Sequence, residues 1–245
     1  MIPKIIHLCW FSKDPYPKAI AKCLASWRVH LKDYEVVLWN FDRFPRGKSK
    51  WVDDAFDNRK YAFAADYIRA FALYNYGGIY LDSDVEVLKN FDDFLHLPYM
   101  IGRESDSLKI EAAVMGSEKG NPIFKDLLEY YENRDFIKED GSFDVRPLPC
   151  IMMDIVENRG RIADIASISE FGDDSGTFYL FRPDFFSPLH IVNLELELTP
   201  NSVTIHRFSG SWQSETHQFK KKVQKLIGPR LTLAVQRIKH SLSRN

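Results

Sequence analysis

Two aspartates separated by one residue, Asp82 and Asp84, have the spacing of a metal-binding pair. They lie in the segment IYLDSDVEVL, residues 79–88, which has the composition of a β-strand. Because side chains alternate across a strand, we expect both carboxylates on the face that also carries Tyr80, where their charges repel. A divalent cation relieves that repulsion, and Mg²⁺ or Mn²⁺ typically takes one or two carboxylates from a protein and its other ligands from water and phosphate. The pair therefore predicts a metal site that could hold a diphosphate leaving group.

The same alternation is the ordinary pattern of an amphipathic strand with a polar outer face, and the motif alone favours that explanation. The residues that precede the motif favour a binding site instead. Gly77 and Gly78 end the preceding helix and turn the chain sharply into the strand, and ligands of α/β folds bind where strands end. Within that helix, Asp66 and Arg69 share one face among apolar neighbours. They form either a surface ion pair or a partly buried pair that orients a ligand.

The elements that would position these residues begin with a strand–helix–strand pattern. Residues 3–11 and 34–40 are predicted strands, and apolar residues recur at helical spacing over 17–31. Further predicted elements are helices over 60–76, 121–131 and 149–159, strands over 79–88, 99–103, 110–117, 177–181 and 201–208, and a loop over 134–146. The order predicts an α/β fold with a mostly parallel central sheet flanked by helices.

The composition fits one domain over residues 1–215 followed by a basic segment over 216–245. With 45% hydrophobic and 14% aromatic residues the chain can bury a full core, and its formal net charge of -1 favours no class of partner. Cys9, Cys23 and Cys150 are widely spaced, which predicts neither a disulfide framework nor a zinc site and favours a cytoplasmic location. We expect neither a signal peptide nor a transmembrane helix.

The run KYAFAADYIRAFALYNYGGIYLDSDVEVL, residues 60–88, closely resembles the DXD-containing, sugar-binding segment of glycosyltransferase family 32. That family includes bacterial capsular polysaccharide transferases and yeast initiating mannosyltransferases, and it is distantly similar to the glucosyltransferase domains of clostridial toxins. The opening IPKIIHLCWF and the late TIHRFSGSW, residues 204–212, resemble two further landmarks of the family. The resemblance implies a GT-A-like fold, a nucleotide-sugar donor, a divalent metal and retention of anomeric configuration.

The resemblance also implies roles for single residues on the donor side. Trp10 would stack on the nucleotide base, although an aromatic residue on a first strand is also a common core residue. Asp66 would contact the ribose or the donor sugar, with Arg69 as its orienting partner. Asp82 would touch the sugar or ribose and reach the metal through water.

On the metal side, Asp84 would be the direct ligand and His206 would complete the shell, which favours Mn²⁺ over Mg²⁺. Residues 209–212 resemble a mobile loop that closes over the diphosphate, with Gly210 as its hinge. The predicted nucleotide-sugar site comprises Trp10, Asp66, Arg69, Tyr80, Asp82, Ser211 and Trp212, with Asp82, Asp84 and Arg69 as catalytic residues and Asp82, Asp84 and His206 as metal ligands.

Candidates for the acceptor side are four acids: Glu104, Asp106, Glu111 and Asp154. Each is also explained as an ordinary surface charge, because Asp and Glu are usually exposed. Retention in hydrolases requires two carboxylates about 5 Å apart. The sequence establishes no such pair, so no nucleophile is assigned.

The basic segment over 216–245 contains eight lysines and arginines and no acidic residue. Its apolar residues recur at helical spacing, which predicts a basic amphipathic helix suited to an anionic membrane surface. The alternative is a helix packed on the domain with a solvated basic face. Nucleic acid is disfavoured as a partner because no recognised binding motif accompanies the charge.

These observations predict a retaining, metal-dependent glycosyltransferase in surface or capsular polysaccharide synthesis, peripheral on the inner face of the cytoplasmic membrane. The expected donor is a UDP-sugar, with GDP-mannose as an alternative, and the expected acceptor is a glycan or lipid-linked glycan. A non-catalytic sugar-nucleotide or glycan-binding protein on the same fold is a second hypothesis. A metal-dependent phosphohydrolase is a third, but too few acids lie near Asp82 in the sequence for two adjacent metals.

Overall fold

A computed structural model describes residues 1–209 of the chain. Its strands are β1 (Ile5–Cys9), β2 (Glu35–Trp39), β3 (Gly78–Leu81), β4 (Val85–Val87), β5 (Tyr99–Arg103), β6 (Ile110–Ser117), β7 (Arg161–Ile165), β8 (Thr177–Phe181) and β9 (Thr204–His206). Its α-helices are α1 (Lys18–His30), α2 (Lys50–Asp57), α3 (Tyr61–Tyr76), α4 (Pro122–Glu132), α5 (Leu148–Arg159) and α6 (Pro183–Phe186). Among these helices, none has the length and apolar content needed to cross a bilayer.

Seven strands form the central sheet, in the order β2-β1-β3-β6-β5-β8-β7. β1 is parallel to β2 and β3, and β8 is parallel to β5 and β7. Only β6 runs against its two neighbours, β3 and β5, within this sheet. The fold is therefore α/β with a mostly parallel sheet, as predicted. β4 and β9 form a separate antiparallel pair.

Apolar residues cover both faces of the sheet. One cluster packs α2, α3, α4 and α5 against it, and eight of the sixteen residues of α3 are buried there. The other cluster includes Trp27 of α1, whose indole Nε1 donates to the carbonyl of Val85 at 2.8 Å. Both faces are thus protected, which leaves the ends of the strands as the place for a site.

The connection from α3 to β3 depends on two glycines with positive φ. Gly77 has φ of 67° and Gly78 has φ of 103°, and a Cβ on Gly78 would lie 2.6 Å from the carbonyl oxygen of Ile5. The buried His7 holds this connection: its Nε2 lies 2.7 Å from the Gly77 carbonyl, and its Nδ1 accepts from Trp39 Nε1 at 3.1 Å. Burial lowers the pKa of His7 to about 4, so its ring is neutral with the proton on Nε2.

The single strand predicted over 79–88 is wrong, because the chain turns between β3 and β4. The amide of Val85 donates to the carbonyl of Asp82 at 3.0 Å, and residues 82–84 form the turn. The physical reason is that the two halves have different partners: β3 pairs with β6, whereas β4 leaves the main sheet to pair with β9. The predicted strands over 3–11 and 201–208 are shorter than expected, and α2 and β7 were not predicted.

Several predictions fall outside the described residues. These are the roles of Gly210, Ser211 and Trp212, the domain boundary at 215, and the basic helix over 216–245.

Candidate functional site

A cleft of about 840 Å³ opens at the carboxyl ends of β1 and β3. The residues that line it include Trp10, Asp66, Arg69, Tyr80, Asp82, Asp84 and His206. The cleft therefore brings together all the predicted site residues that the structure describes. Trp10 follows β1 directly, and its ring packs on Tyr16 with centroids 5.0 Å apart.

Arg69 lies at the centre of this group and is only 5% exposed. Its Nη2 is 3.1 Å from Oδ1 of Asp82 and 3.3 Å from Oδ1 of Asp66. Its Nη1 donates to the carbonyl of Ala112 on β6, and its guanidinium lies over the Tyr80 ring, 4.3 Å from the centroid. The pair on α3 is thus buried rather than a surface ion pair, and it fixes the first aspartate of the DXD motif.

Burial changes the protonation of the acids beside Arg69. It raises the pKa of Asp66 to about 7, although the positive charge of Arg69 opposes the change. Burial likewise raises the pKa of Asp82, against the opposing charge of Arg69. The hydroxyl of Tyr80 donates to Asp82 Oδ1 at 2.9 Å. Asp66 therefore titrates close to neutral pH, where it can either donate or accept a hydrogen bond.

Asp84 is held by residues of β9 and the segment after it. His206 stands opposite Val85 in the β4–β9 pair, and its Nε2 lies 3.5 Å from Asp84 Oδ1. The amide and hydroxyl of Ser209 donate to Asp84 Oδ2 at 2.7 and 2.9 Å. Burial alone would raise the pKa of Asp84, but the charge of His206 and these hydrogen bonds hold it well below its usual value. Asp84 is therefore ionised at neutral pH.

Asp82, Asp84 and His206 each offer one ligand atom, and these atoms all lie within 4.8 Å of one another. Carboxylate oxygens suit Mg²⁺ and Mn²⁺, and an imidazole nitrogen is a common further ligand of transition metals. Burial lowers the pKa of His206, but the charges of Glu111 and Asp84 outweigh it and raise that pKa well above its usual value. These three residues therefore fit a divalent cation. The cation would take the place of the proton on the His206 imidazolium, which lies beside the acids Asp84 and Glu111.

Glu111 is buried against His206 in the lining of the cleft. It is 1% exposed on β6, where its Oε1 accepts from the amide of Ala113 at 2.9 Å and its Oε2 lies 3.2 Å from His206 Nδ1. Sequence reasoning treated it as one of several acceptor-side acids. The signal for a different role was present, because it is the only acid in the otherwise apolar run IEAAVM of residues 110–115.

The other acceptor-side candidates are dispersed. Glu104 lines the cleft, and burial raises its pKa. Asp106 accepts from the backbone amides of Ile191 and Val192 and so fixes the loop before β9. Asp154 forms an exposed ion pair with Arg146, away from the lining of the cleft. Of these three acids, only Glu104 lines the cleft.

Comparison with known families gives an independent result for this region. Residues 17–106 match the family described as the glycosyltransferase sugar-binding region containing a DXD motif. The matched stretch runs from the start of α1 through β5 and includes Arg69, Asp82 and Asp84.

Individual relatives agree with that match over part of their length. Inositol phosphoceramide mannosyltransferase 3 of Schizosaccharomyces pombe is 38% identical over 136 residues, which cover 54% of this chain and 37% of the relative. Mannosyl phosphorylinositol ceramide synthase SUR1 of Saccharomyces cerevisiae is 33% identical over 142 residues, covering 55% and 36%. The chain thus spans little more than a third of the length of these curated relatives.

Among solved structures, the PaToxG glycosyltransferase aligns with a TM-score of 0.46 and 18% identity, over 64% of this chain and 69% of that one. The family match, residues 17–106, includes several residues that line the cleft, among them Arg69, Asp82 and Asp84. Residues 17–106 are therefore similar to the glycosyltransferase sugar-binding region containing a DXD motif, and within that stretch the sequence DSD places two aspartates at Asp82 and Asp84.

Proposed function

We propose that this chain is a retaining, metal-dependent glycosyltransferase that moves a hexosyl group from a nucleotide sugar to a hydroxyl of a glycan or lipid-linked glycan. The supporting observation is the grouping of Asp82, Asp84 and His206 within 4.8 Å in the cleft of about 840 Å³. A cleft of that size is typical of sites for a ligand as large as a nucleotide sugar. Retention rests on the family resemblance.

In this proposal Asp84 and His206 hold the metal directly, and Asp82 is shared between the metal and Arg69. The bound cation would neutralise the charge that develops on the departing diphosphate. Arg69 keeps Asp82 in place and places a buried positive charge beside the site, which favours an anionic ligand. Asp66 binds a hydroxyl group of the donor, since its carboxyl group lines the cleft next to Arg69.

The names of the fungal relatives describe mannosyl transfer to an inositol phosphoceramide. They support a mannose-carrying donor, such as GDP-mannose, over the UDP-sugar favoured by the sequence, and an acceptor with a lipid anchor. A role at the inner membrane face rests on the basic segment over 216–245 and is proposed from the sequence alone.

The test uses the full chain with GDP-mannose, UDP-glucose or UDP-galactose, each with and without Mn²⁺. We expect one donor to raise the melting temperature only when Mn²⁺ is present, because a ligand that binds the native state stabilises it. The same donor should be turned over in the presence of a lipid-linked acceptor, and NMR of the product should show retained configuration.

The proposal would be contradicted if none of the three nucleotide sugars raised the melting temperature, with or without Mn²⁺. Binding without transfer or hydrolysis would favour the non-catalytic sugar-nucleotide-binding hypothesis instead.

A further inference from the structure

Glu111 is a buried carboxylate whose two oxygens both lie close to hydrogen-bond donors. Its Oε1 accepts from the Ala113 amide at 2.9 Å, and its Oε2 lies 3.2 Å from Nδ1 of His206. Every residue of its strand, β6, is buried. Burying a carboxylate at 1% exposure costs free energy of folding unless its oxygens accept hydrogen bonds. These contacts therefore determine which role Glu111 can have.

The contact between Glu111 and His206 also determines which ring nitrogen of His206 faces the DXD aspartates. Nδ1 points to Glu111, and Nε2 points to Asp84 Oδ1 at 3.5 Å. A histidine binds a metal through a nitrogen that carries no proton. When Nδ1–H donates to Glu111, the lone pair of Nε2 is left for the site.

We propose that Glu111 is a positioning residue that fixes His206 in its Nδ1–H tautomer and aims Nε2 at the cation held by Asp82 and Asp84. This inference rests on the proposed metal-dependent function. It assigns Glu111 to the metal centre, on the side of His206 remote from the ion, rather than to the acceptor. Carboxylates that hold a ligating histidine in this way contribute roughly 10–100-fold to metal affinity.

An amide in place of the carboxylate disturbs the contact with His206. Nδ1 of His206 lies 3.2 Å from both oxygens of Glu111, and the Ala113 amide donates to one of them, Oε1. A glutamine has one acceptor oxygen and one NH₂ group. In either orientation of the amide, its NH₂ group lies within reach of Nδ1, where it opposes the Nδ1–H tautomer and favours the tautomer with the proton on Nε2, which has no Nε2 lone pair for the metal.

The experiment measures Mn²⁺ binding to the full-length Glu111→Gln variant by electron paramagnetic resonance. The signal of free Mn²⁺ gives the Kd, and electron spin echo modulation reports ¹⁴N coupling from a bound imidazole. We expect the wild type to show ¹⁴N coupling, and Glu111→Gln to lose it and to bind Mn²⁺ roughly 10–100-fold more weakly. A merely structural role would change thermal stability and leave the ¹⁴N coupling in place.

The matched control is Glu104→Gln. Glu104 lines the same cleft, but its hydrogen bond is with the hydroxyl of Ser107 rather than with His206. We expect this variant to keep both the wild-type Kd and the ¹⁴N coupling. Equal losses in the two variants would overturn the inference, because the effect would then be one of cleft charge.

A second measurement does not depend on how Glu111→Gln folds. In Mg²⁺-loaded wild-type protein, ¹⁵N NMR of the histidines, assigned with His206→Gln, should show a proton on Nδ1 of His206. A proton on Nε2 would overturn the inference. If Glu111→Gln bound Mn²⁺ with unchanged ¹⁴N coupling, the inference about Glu111 would be overturned and the proposed function would stand. If the wild type bound no Mn²⁺, both the inference and the proposed function would be overturned.

Discussion

Arg69 lies 3.1 Å from Asp82, so the first aspartate of the DXD motif is fixed by a helix residue that precedes it by thirteen positions. The same guanidinium is within 3.3 Å of Asp66. One buried cation thus balances the buried Asp66 and the partly buried Asp82, and the geometry of the motif depends on α3 as much as on β3.

Replacing Arg69 by methionine, which fills similar space without charge, should leave Asp66 and Asp82 without a cation. We expect a loss of about 3–5 kcal/mol in the free energy of unfolding, measured with urea, because uncompensated buried charge is costly. Arg159→Met is the control, since its ion pair with Asp126 is at the surface and should cost no more than about 1 kcal/mol. Similar costs for the two variants would contradict the central role of Arg69.

The Asp84→Asn variant should fold but lose donor binding that depends on Mn²⁺. Its amide oxygen can still accept from Ser209, whereas the charge that attracts the cation is gone. We expect transfer activity to fall about a thousandfold, equivalent to about 4 kcal/mol of transition-state stabilisation. Asp33→Asn, at an exposed position, is the control and should behave as wild type. Retained Mn²⁺-dependent transfer by Asp84→Asn would refute the assignment of Asp84 as a ligand.

The approach of Gly78 to β1 predicts a large effect of a single methyl group. In Gly78→Ala the new Cβ would lie 2.6 Å from the Ile5 carbonyl oxygen, at a φ of 103° that L-residues rarely adopt. We expect a cost of about 3 kcal/mol or more. Gly120→Ala separates the two causes: its φ is 78°, but nothing lies within 4 Å of the added carbon, and its cost should be about 1–2 kcal/mol. Equal melting temperatures for the two variants would show that the close approach is unimportant.

Asp66 should make the wild type lose stability as the pH rises. Its pKa is raised from 3.8 to about 7 in the folded state, so its contribution is complete below pH 3.8 and is lost as the pH rises through 7. Relative to wild type, Asp66→Asn should therefore gain up to about 1.4 kcal/mol per pH unit between pH 4 and 7. Urea unfolding at several pH values measures this difference, and a pH-independent difference would contradict it.

The titration of His7 should change the stability in the opposite direction over nearly the same pH range. Its pKa is lowered from 6.5 to about 4, so its contribution to stability is present above pH 6.5 and is lost as the pH falls through 4. Relative to wild type, His7→Gln should gain stability as the pH falls from 6.5 to 4, in the same urea experiment. Slopes of the same sign in His7→Gln and Asp66→Asn would show that one of the two pKa shifts has the wrong direction.

The sequence alone was sufficient to predict the parallel part of the sheet and the residues that meet in the cleft. β1, α1 and β2 follow the period of a strand or a helix closely, and α3 is bounded by its glycines. α2 was missed although its signals were present: Ser49 caps it by accepting from the amide of Val52, and its apolar residues recur at helical spacing. β7 was missed because RIADI is a polar edge strand without the usual composition.

Other features of the site depend on contacts between distant segments. Period-two alternation placed Asp82 and Asp84 side by side on one strand, but the pairing of β4 with β9 bends the chain into a turn between them. The alternation of residues cannot reveal such a turn, because Val85 and Val87 fit a strand in either sheet. The link from Glu111 to His206 likewise joins two strands that are not neighbours in the main sheet.

The position of β9 near the end of the described chain has a consequence for biosynthesis. By residue 203 a ribosome has made both aspartates of the motif, Arg69 and all seven strands of the central sheet, whereas His206 and Ser209 are still to come. The nascent chain can therefore fold its sheet before it can complete the proposed ion-binding centre. Newly made protein would acquire the ability to take up a cation only when its ninth strand has emerged and docked.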